Sequence, residues 1–353
     1  MTARDLGARP IRVLVVDDSA FVRKVLRELL AASPGIEVVG LARDGLEALE
    51  QIAALAPDVV TLDLIMPELD GLGVLAMLPR ERRPRVVAVS TQEAHSVLGL
   101  AALDSGAVDI VHKPTAIATD QLYEIGADLV ARVRAAGLAR APDPLPPLPQ
   151  QRPTAPPPAR PSRPTRARIL VIGTSTGGPQ ALARLLPALP ADLPIPVAIA
   201  LHIPPGYTAD LARRLDQRSA LHVVVASDGL LLRPGLVALA RAGMHLRIAD
   251  GAAGLRAHLE GAPRQAIYRP SVDVLFHSAA ETAGATVIGV LLTGMGDDGC
   301  KGAQAIRAAG GVVLTEAESS CVVYGMPRSA VEAGASTASC TVEEMAEEIQ
   351  RWL

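Results

Sequence analysis

The stretch Arg168-Ile-Leu-Val-Ile-Gly-Thr-Ser-Thr-Gly-Gly-Pro-Gln-Ala-Leu182 decides how the second half of the chain folds. Branched apolar residues run into Gly173, and a helix-compatible run begins near Pro179. This predicts a buried strand, a tight glycine turn, and a helix with proline in its first turn. Ser175 stands at the apex, with Gly173 and Gly177 on either side. There its hydroxyl would be held clear of the strand, beside helix N-terminal N–H groups that favour negative charge. Gly173-Thr-Ser-Thr-Gly177 fits the G-x-S-x-G pattern of a nucleophile elbow. Taken alone, the motif fits a nucleophile, a phosphate cradle at a helix N-terminus, or a plain turn.

The same strand-then-chemistry pattern recurs on either side. Val197-Ala-Ile-Ala-Leu201 leads into His202-Ile-Pro-Pro-Gly-Tyr-Thr208, which puts a histidine at a strand end. Thr286-Val-Ile-Gly-Val-Leu-Leu292 leads into Thr293-Gly-Met-Gly-Asp-Asp-Gly299, and Gly311-Val-Val-Leu314 is a further strand. Strands alternating with helices predict a second, mostly parallel α/β domain. Ser175, His202 and Asp298 then lie at strand ends along one sheet edge. A serine hydrolase needs such a set: the histidine takes the hydroxyl proton, and the acid orients the ring and stabilises the imidazolium. The chain order Ser, His, Asp differs from the Ser, acid, His of α/β-hydrolases, and G-x-G-x-x-G is absent, so neither that fold nor a Rossmann domain is implied. His222, His245, His258 and His277 lack a strand-end glycine context and read as structural or exposed. No histidine or carboxylate at ligand spacing makes a metal site of Asp297 and Asp298, so no cofactor is expected there.

Toward the N-terminus, Val13-Leu-Val-Val16 ends in Asp17-Asp18-Ser19, Val59-Val-Thr-Leu62 in Asp63, Val86-Val-Ala-Val89 in Ser90-Thr91, and Val108-Asp-Ile-Val111 precedes Lys113-Pro114. With Glu37-Val-Val39, these strands alternate with helical patterns and predict a doubly wound parallel sheet. Open α/β sheets place their sites at the carboxyl ends of the strands, where Asp17, Asp18 and Asp63 meet. Three crowded carboxylates repel one another unless a hard cation such as Mg²⁺ joins them.

These residues closely resemble the receiver domain of two-component response regulators. The resemblance implies a flavodoxin-like fold in which Asp63 accepts a phosphoryl group from a histidine kinase. It further implies Asp17, Asp18 and Asp63 as Mg²⁺ ligands, Ser90 as the switch hydroxyl and Lys113 as the cation that contacts the phosphate. One departure is Ile110, where many receivers carry an aromatic switch residue.

At 353 residues and 49% apolar content, the chain has room for two cores, which 2% aromatics leave to Leu, Val, Ile and Ala. A net charge of −3 and the lack of a basic recognition helix argue against nucleic acid as a partner. Cys300, Cys321 and Cys340 are scattered without C-x-x-C spacing, which suggests a reducing compartment. With neither a signal-peptide core nor a membrane-length apolar run, the expectation is a cytoplasmic protein, read as a monomer. Between about Ala141 and Arg166 the chain turns proline-rich and predicts an extended polyproline II spacer. The expected organisation is a receiver over 11–137, a linker over 138–167 and a catalytic domain over 168–353.

In the second half, the motifs Gly173–Pro179, His202–Thr208, Tyr268-Arg-Pro-Ser-Val-Asp-Val-Leu-Phe276, Leu292–Gly299 and Gly325-Met-Pro-Arg328 complete a specific combination. With the receiver, they resemble the chemotaxis receptor protein-glutamate methylesterase/glutaminase family, the CheB family. The resemblance covers almost everything outside the linker. It implies demethylation of glutamate methyl esters, and deamidation of glutamines, on transmembrane chemoreceptors, restrained until Asp63 is phosphorylated. It places the catalytic acid at Asp298 and suggests that Thr174, Met295 and their N–H groups shape the oxyanion site. The stretch Val237–Leu246 lacks the proline usual before the family's His-Leu, so its loop is expected to sit differently. Two other readings keep the same residues: a receiver-gated hydrolase of a different ester or amide, and a regulator that binds receptor or kinase without turnover.

Overall fold

Apolar strand runs that each stop at a chemically distinctive residue set the architecture. In the computed structural model, which describes residues 9–79, 83–90, 96–112, 119–149, 167–261 and 268–353, the chain forms two units, Met1–Leu145 and Pro146–Leu353. The first contains β1 (Ile11–Val16), α1 (Ala20–Ala31), β2 (Ile36–Ala42), α2 (Gly45–Leu55) and β3 (Val59–Asp63). It continues with α3 (Gly71–Met77), β4 (Arg85–Ser90), α4 (Ser96–Asp104), β5 (Asp109–His112) and α5 (Thr119–Leu138).

The five strands are parallel in the order β2-β1-β3-β4-β5, the flavodoxin-like order expected of a receiver. Val13, Leu14, Val15 and Val16 are at most 1% exposed, so each contributes on the order of 1.5–3 kcal/mol of apolar burial. The helices start where the sequence supplies oxygen caps: Ser19 accepts from Val22 N, Asp44 from Glu47 N and Asp70 from Gly73 N.

The spacer expected from 138 begins later. Leu138 still belongs to α5, and residues through 145 stay with the first unit, the Leu145 N–H donating to Asp104 O at 2.7 Å. The proline-rich core of the linker, 150–166, lies outside the described residues.

The second unit runs through β6 (Ile169–Thr174), α6 (Gly178–Ala188), β7 (Val197–Leu201), α7 (Thr208–Arg218), β8 (His222–Val225) and β9 (Leu236–Leu239). Next come β10 (His245–Gly251), β11 (Gly254–Glu260), α8 (Val272–Ala283), β12 (Val287–Leu291) and α9 (Cys300–Ala308). It ends with β13 (Val312–Glu316), α10 (Met326–Glu332), β14 (Ala338–Cys340) and α11 (Met345–Arg351).

Seven parallel strands follow the order β14-β13-β12-β6-β7-β9-β8, so β6 lies between β12 and β7 and the three strand ends expected to carry the chemistry are neighbours. An antiparallel hairpin, β10–β11, stands apart from this sheet. Val272, Leu275, Phe276 and Ala279, spaced as one helix face, are fully buried and anchor α8 in the core. No helix among the described residues is long and apolar enough to cross a membrane.

Candidate active site

Ser175 follows β6 directly and His202 follows β7 directly. The His202 N–H donates to Thr174 O at 3.2 Å, pinning the histidine backbone beside the turn that carries the serine. From so near, the ring meets Ser175 with its proximal nitrogen: Nδ1 lies 3.1 Å from Ser175 Oγ, while distal Nε2 reaches Asp298 Oδ2 at 2.8 Å. All three residues are buried, and Asp297, its side chain unneeded, is exposed.

Asp298 is held as an acceptor. Oδ1 takes the Ser271 hydroxyl at 2.9 Å and the Asp273 N–H at 3.0 Å, and Oδ2 takes the Val272 N–H at 2.7 Å besides His202. Burial alone would push this carboxyl up. The bond and charge interaction with His202, with the Asp273 and Val272 N–H groups, outweigh it and hold the carboxyl below its usual range. An ionised Asp298 can only accept, so Nε2 carries the proton and Nδ1 presents its lone pair to the serine hydroxyl. In the other direction, Asp273 Oδ1 accepts the Gly299 and Gly302 N–H groups at the start of α9. Asp298 thus caps α8, the helix that carries Asp273, and Asp273 caps α9, the helix that follows Asp298.

The turn itself is relaxed. Outside glycine, only Ala56 and Glu68 among the described residues have positive φ, so Ser175 is not in the strained backbone of a hydrolase elbow. Gly177 takes the left-handed conformation instead (φ +80°), where a side chain would also collide with Val322. Thr174 Oγ1 donates to Thr293 O at 2.8 Å, and the Ser175 N–H donates to the same carbonyl at 3.0 Å. Thr174 therefore shapes the site by bracing the loop after β12, with its hydroxyl already engaged. Gly294 abuts the nucleophile, since a Cβ there would come within 2.8 Å of Ser175 Cβ. Half-buried Met295 follows, and its N–H bonds none of the described residues.

The Tyr268 ring stacks on His202 with centroids 4.1 Å apart and planes 13° from parallel. An aromatic face stabilises a cation resting on it by about 1–2 kcal/mol where water is excluded. Tyr268→Leu is therefore expected to lower kcat about 5–30-fold, and Tyr268→Phe to stay within about twofold of wild type. Steady-state hydrolysis by both variants checks this; equal losses would refute the stacking role.

In the first unit, ligand oxygens of buried Asp17, exposed Asp18 and buried Asp63 all lie within 4.8 Å of one another. Asp17 Oδ1 accepts the Ser19 N–H and Asp63 Oδ1 the Ile65 N–H, which aims the carboxylates from the ends of β1 and β3. Three hard oxygen donors, one of them reachable by water, suit Mg²⁺. Ser90 ends β4 next to β3 and is buried, as is Ile110 in β5. Lys113 lies outside the described residues.

Comparison with known proteins matches a family to each unit. The CheB methylesterase family matches residues 170–349 and the response regulator receiver domain matches residues 13–125. A protein-glutamate methylesterase/protein-glutamine glutaminase of Myxococcus xanthus is 57% identical over 95% of this chain and 96% of its own length. The chain belongs to the CheB methylesterase family. A relative of the same description from Symbiobacterium thermophilum is 44% identical over 98% of each chain. The crystal structure of the Thermotoga maritima CheB methylesterase catalytic domain superposes with a TM-score of 0.52 at 38% identity, covering 53% of this chain and 99% of that one.

Within that family frame, the stretch lacking proline closes by other means. Gly243 (φ +86°) donates its N–H to Arg269 O, and the Met244 N–H donates to Arg241 O, which turns the chain into β10. Sequence reading left Tyr268, Ser271 and Asp273 without roles. The usable signal was Ser271 as an oxygen cap, with an acid in the first turn, ahead of the stripe at 272, 275, 276 and 279.

Proposed function

We propose that this chain hydrolyses γ-glutamyl methyl esters on the cytoplasmic part of chemotaxis receptors, releasing methanol and leaving glutamate. Its second activity is deamidation of receptor glutamines with release of ammonia. The hydrogen-bonded line Ser175–His202–Asp298 carries this reading. Ser175 Oγ attacks the ester carbonyl as His202 Nδ1 takes its proton. The tetrahedral adduct collapses, re-forming the carbonyl as the C–O bond to the methoxy group breaks, and the same proton goes to the departing methoxide. Water then attacks the acyl-enzyme with His202 again as base, which frees glutamate and restores Ser175. Donors at the Met295 N–H and near the serine turn stabilise the oxyanion, a contribution of about 3–4 kcal/mol per donor in well-studied hydrolases.

The receiver makes the activity conditional. A histidine kinase transfers a phosphoryl group to the Asp63 carboxylate, breaking the phosphorus–nitrogen bond as the phosphorus–oxygen bond forms. Asp17, Asp18 and Asp63 would hold Mg²⁺, which offsets their repulsion and the charge of the incoming group. The Ser90 hydroxyl and the Lys113 ammonium then contact the phosphoryl oxygens, which add about −1.5 to −2 of charge. Methanol release from methylated receptor, with and without a small phosphoryl donor and Mg²⁺, tests this. The donor is expected to raise turnover in wild type and to have no effect in Asp63→Asn. A donor response that persists in Asp63→Asn refutes the acceptor assignment.

A further inference from the structure

Glu316 closes β13 and is 1% exposed, a buried acid that the hydrolytic steps do not use. Oε2 accepts the Thr293 N–H at 2.8 Å, and Oε1 accepts the Ser320 hydroxyl at 2.9 Å. Burial pushes its carboxyl up, and the Thr293 N–H and Ser320 hydroxyl draw it down only in part. Desolvating a carboxylate makes it a poor device for stability alone, since an apolar side chain of similar size fills such a space without that penalty.

What the carboxylate holds is a hub. The Thr293 carbonyl accepts both the Ser175 N–H and the Thr174 hydroxyl, at 3.0 and 2.8 Å. The Thr293 hydroxyl donates to Thr176 O at 3.0 Å and accepts the Val323 N–H at 2.9 Å. Residues 174, 175 and 176 are thus all bonded to residue 293, and the N–H of residue 293 is fixed by Glu316. Because β6, β12 and β13 are adjacent, this line runs straight along the sheet edge from Glu316 to the nucleophile.

We infer that Glu316 is a positioning residue for Ser175, acting by fixing the place of Thr293, whose carbonyl and hydroxyl hold residues 174 to 176. This rests on Ser175 being the nucleophile. The test measures kcat and KM for methanol release by the full chain with phosphoryl donor and Mg²⁺, alongside circular dichroism and thermal melting. Glu316→Leu removes the acceptor and is expected to lower kcat about 10–100-fold with KM within about twofold, the size of effect that small misplacements of reacting groups produce. Glu316→Gln keeps an oxygen for the Thr293 N–H, while the Ser320 hydroxyl turns to accept, so kcat stays within about threefold of wild type.

A folded Glu316→Leu with kcat within twofold of wild type, or a Gln variant as impaired as the Leu variant, would overturn the inference. If Glu316→Leu does not fold, Ser320→Ala decides. It frees Oε1 at nearly constant volume and should lower kcat about 2–5-fold at unchanged KM, and an unchanged kcat overturns the inference. Wild type that releases no methanol, or Ser175→Ala that still releases it, would refute the nucleophile reading instead, whatever Glu316 does.

Discussion

Ser175→Ala should lower methanol release from methylated receptor by at least about 10⁴-fold, the largest effect expected of any single substitution here. The change deletes one atom and little else. The Ser175 N–H still donates to Thr293 O, the left-handed Gly177 still turns the chain, and Asp298 keeps its bonds to Ser271, Val272 and Asp273. Stability should therefore shift by no more than about 1 kcal/mol, the worth of a single hydrogen bond. His202→Ala should cost activity on the same scale. The double variant should be no worse than either single one, because base and nucleophile act as a unit. Additive losses would mean that the two residues work independently, and turnover surviving in Ser175→Ala would remove the serine from the reaction.

Most of the architecture was legible because apolar runs end abruptly at reactive residues. Val13–Val16 stops at Asp17, Val59–Leu62 at Asp63, and Val197–Leu201 at His202; within each unit the sheet topology sets such ends side by side, Asp17 with Asp63 in the first and His202 with Ser175 in the second. Local pattern suffices where strand order then does the assembling. The β10–β11 hairpin was written in the sequence too, as alternation of buried Leu246 and Ile248 against Leu255 and Ala257, but its short apolar positions are diluted by arginine and histidine. Which imidazole nitrogen faces the serine could not be read, since it follows from how closely the β7 end is pinned to Thr174. Glu316 escaped for a related reason. An acid two residues beyond Leu314 reads as the solvent-exposed end of a strand, whereas in the fold it is enclosed with the loop carrying Thr293, Ser320 and the end of β14 against it.

Asp298→Asn is expected to lower kcat about 10³–10⁴-fold through the tautomer of His202. Every partner of this carboxylate is a donor, with a backbone N–H on each oxygen: Asp273 on Oδ1 and Val272 on Oδ2. An asparagine must turn its NH₂ toward one of these pairs. Facing His202, it demands an acceptor at Nε2, which moves the ring proton to Nδ1 and leaves Ser175 without a base. Facing Ser271 and Asp273, it leaves a buried N–H unpaired at the α8 N-terminus, at a cost of about 1–3 kcal/mol. The pH dependence of stability separates this variant from a simple loss of packing. Because the folded protein holds Asp298 below its usual range, its stabilisation is present above the unfolded carboxyl value of about 3.9 and is lost as pH falls through the folded value. Urea unfolding should accordingly show wild type more stable than Asp298→Asn at neutral pH, with the gap narrowing below about pH 4. A gap that stays constant down to acid pH would mean that the carboxylate charge contributes nothing to the fold, and the assignment of the Nε2 proton would lose its support.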